Sequence, residues 1–125
     1  MKGPGAMNQE NSVFYIPELG NNRDFEGIDQ VYVELLPMTG EELRAYQRTM
    51  VGVKPGSAQA IKKAEQIVKR IVSERVVEVT NYFDIKGNQI GTGEELFERG
   101  EPAMVDEIYE ALSSISRLKE GQRKN

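Results

Sequence analysis

Residues 39–43 and 92–96 both read Thr-Gly-Glu-Glu-Leu, and this repeat constrains the fold more than any other feature of the chain. The flanks do not repeat: "LLPM" and "RAYQ" surround the first copy, "NQIG" and "FERG" the second. A duplicated repeat architecture is therefore excluded. A phosphate-binding loop needs several glycines and a following cation, whereas each copy has one glycine followed by two acids. The physics of a helix start fits. Thr39 and Thr92 are placed to accept from an orphan backbone N–H, and Glu42 and Glu95, three residues on, to bond back to the cap's own N–H. The acidic pairs Glu41–Glu42 and Glu94–Glu95 also suit the positive end of the helix dipole. Met38 and Leu43 are spaced as a hydrophobic staple across the first box, which Gly91 denies to the second. Each cap is worth about 1 kcal/mol. Two helices therefore begin at these points.

Around these starts the pattern predicts an α+β domain, predominantly helical, with an N-terminal β-hairpin-like element and a bundle of three or four helices. "SVFYIPEL" is a β-prone run closed by Pro17, and "GNNRDFEGID" is loop chemistry. In "QVYVELLPM", Val31, Val33 and Leu35 alternate with Tyr32, Glu34 and Leu36, as on a strand with one buried face. The two runs are expected to pair antiparallel across a long irregular loop. A helix follows from Gly40 to about Met50, and Ser57 caps the next. There Ile61, Ala64, Val68, Ile71 and Val72 form the predicted core stripe, with Lys62, Lys63, Gln66, Lys69 and Arg70 opposite. Residues 75–83 satisfy both periods; the β-branched content of "RVVEVTNYF" leans to strand. Asp84 and Gly87 fit a tight turn. Tyr82 and Phe83 read as core. Gly100 suits the end of a short helix and Pro102 the first turn of the last one, predicted over 103–118. Its stripe is Met104, Val105, Ile108, Ala111, Leu112, Ile115 and Leu118, with Asp106, Glu107, Glu110 and Arg117 facing out.

At 125 residues the chain is expected to hold one domain, over 12–119. Residues 1–11 read as a disordered leader or an appended expression tail, with Met7 a plausible start, and 120–125 as a frayed basic end. The sequence has neither an apolar run of membrane-spanning length nor a signal-peptide pattern at its start.

The chemistry search excludes more than it finds. Without cysteine or histidine there is no disulfide, thiolate or imidazole ligand, and no Ser–His–Asp or Cys–His set. A net charge of −4 with no concentrated basic stretch argues against nucleic acid. Asp84 and Glu95 stand at positions 1 and 12 of a calcium-loop window, but Lys86 and Gln89 occupy the third and sixth, where a ligand and a glycine are needed. No catalytic residue, cofactor or metal is expected, and a small hydrolase is disfavoured because no nucleophile–base set can be assembled.

The C-terminal half, "VTNYFDIKGNQIGTGEELFE" followed by "MVDEIYEALSSISRL" and "KEGQRKN", resembles tail assembly chaperones of long-tailed bacteriophages and prophages. The shared features are an Asn-aromatic pair, a D-x-x-G-N turn, a Thr-capped "EEL" helix, a Ser-containing last helix and a "KN" end. "FYIPEL" is similar to the family's early Val-Pro-Glu segment, and "VYVELLPMTGEELRAY" to its strand, Pro-Leu-Thr and acidic-helix passage. The resemblance covers most of 13–125 and is weakest over 51–74. It implies a non-catalytic chaperone in the host bacterial cytoplasm that binds the tape measure protein, keeps its apolar helices soluble and promotes tail tube assembly, with the tail tube protein as a further partner. The family commonly has a second, frameshifted product. The expected partners include neither nucleic acid nor membrane, and a homo-oligomer is compatible. Apolar strips on the hairpin and last helix are the expected contact surfaces, with Tyr15, Tyr32, Met104 and Tyr109 as candidate protein-binding residues. The bland reading of both strips is that they close the core. The reading from a different class is a virion structural protein such as a head–tail connector or tail-completion subunit.

Overall fold

The computed structural model describes residues 11–124, with side chains through Ser116. Residues 1–10 of the expected 1–11 leader and the expectations for the side chains of Arg117 and Leu118 lie outside the described residues. The fold is mixed α+β and predominantly helical. A three-stranded antiparallel sheet lies against a layer of helices: β1 is Val13–Tyr15, β2 Tyr32–Leu35 and β3 Val76–Thr80, in the order β1-β2-β3. The helices are α1 (Gly40–Arg48), α2 (Ala58–Arg75), α3 (Gly93–Arg99) and α4 (Pro102–Lys124). A two-stranded ribbon, β4 (Tyr82–Phe83) with β5 (Gln89–Ile90), leads into α3.

Both predicted capping boxes form. Thr39 Oγ1 accepts from the Glu42 N–H at 3.1 Å, and Glu42 Oε1 accepts from the Thr39 N–H at 3.3 Å. Thr92 and Glu95 repeat the exchange, both bonds at 3.1 Å. The repeated glycine has its own reason. At Gly93 a Cβ would lie 2.2 Å from the Val72 carbonyl oxygen, so the first turn of α3 touches the backbone of α2 only because no side chain intervenes. Ser57 caps α2 by accepting from the Ala60 N–H at 3.1 Å.

The expected hairpin is present, with Val13 opposite Leu35 and Tyr15 opposite Val33. A buried side chain ties the two ends of its long loop together. The buried Asn22 donates to the carbonyls of Pro17 (2.9 Å) and Val31 (2.8 Å) and accepts from the Val31 N–H (2.7 Å). Gly20 and Asn21, at φ 65° and 60°, turn the chain just before it. Residues 76–80, ambiguous in sequence, are the third strand. Register places Val33 opposite Val79 and Glu34 opposite Glu78, with an extra residue on β3 before Leu35 meets Val76. The two valines belong to the core, whereas Glu34 is half-buried and Glu78 exposed.

The core joins Val33, Leu35 and Val79 of the sheet to Ile71 and Val72 of α2, Leu96 of α3, and Ile108 and Leu112 of α4. Along α4, Met104, Val105, Ile108, Ala111 and Leu112 are all buried, so this stripe closes the core. Ser116, also buried, accepts from the Met38 N–H at 2.9 Å and ties α4 to the segment before α1.

Five expectations change. In α2, Ile61 is 63 % exposed and Ala64 is turned away from the core, while Ala60 is buried and Ile67 packs against the core. The buried face is thus rotated by one residue in the N-terminal turns. Phe83 points to solvent; of the predicted core pair only Tyr82 packs inward, its hydroxyl accepting from the Glu101 N–H at 3.0 Å. Gly100 ends α3 in extended backbone, φ −74°, and is needed for closeness instead: a Cβ there would sit 2.5 Å from the Leu96 carbonyl oxygen. Helix α4 continues to Lys124, past the predicted end. Finally, Glu107 does not face open solvent, because its carboxylate is a bridge to the N-terminal strand.

Candidate functional site: the open face of the sheet

Alternation along three short strands sorts their residues onto two faces. The inner one packs on the helices. The outer one carries Phe14 of β1, Tyr32 and Glu34 of β2, and Glu78 and Thr80 of β3. Phe14 is 68 % exposed, and its ring meets that of Tyr32 edge-on, centroids 6.1 Å apart at 68°. The edge-on contact joins the two rings into one exposed apolar platform. Beside it the register sets Phe14 opposite Glu34 and Glu34 opposite Glu78. Like charges directly opposite on adjacent strands are destabilising. The Ser12 hydroxyl donates to Glu34 at 2.5 Å, and that of Thr80 reaches Glu78 at 3.4 Å, but neither brings a positive charge. The face thus joins exposed aromatic area to two adjacent carboxylates. It can take an apolar surface bearing a cation.

The candidate residues named from sequence do not share a surface. Tyr32 lies on the open face. Tyr15 has the opposite orientation in β1: it packs against the core, and its hydroxyl donates to Glu107 at 2.6 Å. Burial, then that hydrogen bond and the Glu107 charge, push its hydroxyl up to about 12. Tyr109 is half-buried against the core. Met104 is 3 % exposed and cannot be a surface contact, because from Met104 to Leu112 the α4 stripe is turned inward. Over residues 104–112 the expected apolar strip on the last helix is therefore corrected to core, whereas the hairpin keeps exposed aromatic area at Phe14 and Tyr32. Phe14, Glu34 and Glu78 were missed. Alternation from Val13 and Tyr15 marks Phe14 as outward; the two glutamates become neighbours only once β2 and β3 are in register.

The two acids of the calcium-like window do converge, around a guanidinium. Arg99 donates to Asp84 at 2.5 Å and to Glu95 at 2.8 Å. Asp84 also accepts from the N–H groups of Asn88 and Lys86, both at 2.9 Å. The Asn88 bond is the leading cause holding its carboxyl below the ordinary range, with Arg99 adding to it. Among the described residues no group of three or more acidic or sulfur- or imidazole-bearing side chains is gathered as for a metal ion. No described helix is long and apolar enough to cross a membrane. Comparison with protein-family models, curated proteins and solved structures gives no match.

Proposed function

We propose that this chain is a non-catalytic binding protein of the phage tail assembly chaperone type, which acts in the host bacterial cytoplasm and holds amphipathic segments of a tape measure protein on the open face of its sheet, so promoting tail tube assembly. The observation that carries the reading is the Phe14–Tyr32 platform beside Glu34 and Glu78. Aromatic area left open on a strand face lowers its free energy by meeting another apolar surface. The paired acids favour a partner that brings Lys or Arg with it. The resemblance of the strand, capped-helix and last-helix segments to the chaperone family supplies the partner's identity.

Co-expression with the tape measure protein of the same phage tests this. Soluble recovery of that protein should rise when the chain is present and fall back with Phe14→Asp and Tyr32→Asp together. Both side chains are outside the core, so the double variant should keep its fold, checked by circular dichroism. Equal recovery with and without the chain would defeat the reading. Its presence in finished virions would favour the connector instead.

A further inference from the structure

A recess lies among the helices and shares no residue with the sheet face. Val68 of α2, Phe97 of α3 and Pro102 and Val105 of α4 line about 440 Å³ between them. Two carboxylates also line it, Glu65 on α2 and Asp106 on α4. Neither is held in an ion pair within the described residues. Along α3 and α4 this sign is reinforced, with seven acids and one cation, Arg99, between Gly93 and Ser116, whereas α2 sets Lys62 and Lys69 three and four residues from Glu65. That arginine is committed to Asp84 and Glu95. The ring at the recess already attracts a cation from its own chain, since the Lys69 ammonium lies 6.0 Å from the Phe97 centroid.

We infer that this recess is a docking site for a basic amphipathic helix, taking an aliphatic side chain against Val68, Phe97 and Val105 while a Lys or Arg one turn away reaches Glu65 or Asp106. A helix supplies that combination because residues three or four apart lie on one face about 5–6 Å apart. An acidic amphipathic helix would meet two carboxylates of its own sign that no ion pair holds, and a wholly apolar one would cover them without supplying a partner. Charge complementarity thus selects the occupant.

The probe is a dye-labelled amphipathic helical peptide of Leu and Lys, read by fluorescence anisotropy against the full chain. The wild type should bind it, and a Leu/Glu peptide should not bind. Glu65→Lys with Asp106→Lys should weaken binding about tenfold or more. Asp24→Lys with Glu26→Lys makes the same change in net charge on an exposed loop and should leave affinity near wild type. Phe14→Ser with Tyr32→Ser should bind as wild type does, which separates this site from the sheet face. The inference is overturned if the wild type does not bind the Leu/Lys peptide, if the two charge-reversed variants weaken binding equally, or if only the sheet-face variant loses it.

Discussion

The Tyr15 hydroxyl donates a 2.6 Å hydrogen bond to the Glu107 carboxylate, joining β1 to α4 across 92 positions of sequence. The same carboxylate accepts from the backbone N–H groups of Glu18 at 2.7 Å and Leu19 at 3.1 Å. One side chain of α4 thereby fixes the end of the strand that bears Phe14. Replacing Glu107 with Ala removes all three bonds, and because the acceptor is charged the loss should be about 3 kcal/mol. Urea denaturation would measure it. Glu107→Gln keeps one acceptor oxygen and should fall between the two.

The same pair predicts a pH dependence in the alkaline range. The Tyr15 hydroxyl is raised from 10.0 to about 12, with burial the leading cause. Its neutral form is the one favoured by folding, so its contribution is complete below pH 10 and is lost as the pH climbs toward 12. Tyr46 and Tyr82 are raised as well, chiefly by burial, and act in the same direction. Tyr15→Phe should therefore show a shallower decline in melting temperature over that window than the wild type, though not a flat one.

At the acid end the sign reverses. Asp84 and Glu95 both have depressed carboxyls; a backbone bond leads in each case, from Asn88 and from Gly91, and Arg99 contributes. Their stabilisation is present above the ordinary carboxylate range and is lost as the pH falls through their lowered values. Arg99→Gln should thus be less stable than wild type at pH 7, and the two should converge in strong acid. Thermal melts along a pH series would show it. Equal stability of the two at pH 7 would contradict the bridging role.

Gly93→Ala should be far more damaging than its size implies. The added methyl would fall 2.2 Å from the Val72 carbonyl oxygen and 2.9 Å from the Val76 Cβ, so α2 and α3 would have to separate. A cost on the order of 3 kcal/mol is expected, read as a lowered thermal midpoint.

Leu112→Asp tests the core. Leu112 is fully buried, and an unpaired carboxylate there should cost several kcal/mol, about 4, enough to unfold most marginally stable domains. A melt like that of the wild type would refute the assignment of α4 as the principal core helix.

What could be read from sequence was whatever rests on local physics. The two Thr-Gly-Glu-Glu-Leu boxes, the Ser57 cap and the Asp84–Gly87 turn each depend on residues within a few positions of one another, and all formed. The stripe of α4 was visible because it spans several turns without interruption. Residues 75–83 were only partly legible, because Val77 and Val79 alternate as on a strand while Val72, Val76, Val79 and Phe83 fit a helix; the lean to strand from β-branched content holds over Val76–Thr80, where pairing with β2 settles the choice. The α2 stripe was misplaced because Ile61 and Ala64 obey the spacing yet lie on turns whose face the core does not reach. Glu107 looked solvated because nothing in its own helix shows that the Pro17 turn presents two backbone donors to it. Met104 was named for its chemistry, which does not distinguish a surface methionine from a core one.

Helix α2 ends at Arg75 and β3 begins at Val76, with no connecting residue between them. That junction makes the length of the helix a setting for the sheet. Inserting or deleting one residue in the last turns of α2 would rotate the point of emergence by about 100°. It would also shift the pleat by one position, and a strand's two faces exchange on such a shift. Glu78 would be driven toward Val33 and Leu35, and Val79 would emerge beside Phe14 and Tyr32. Length variation among descendants of this chain should therefore collect in the exposed 49–56 connection and be purged from 66–80 even where single substitutions are tolerated.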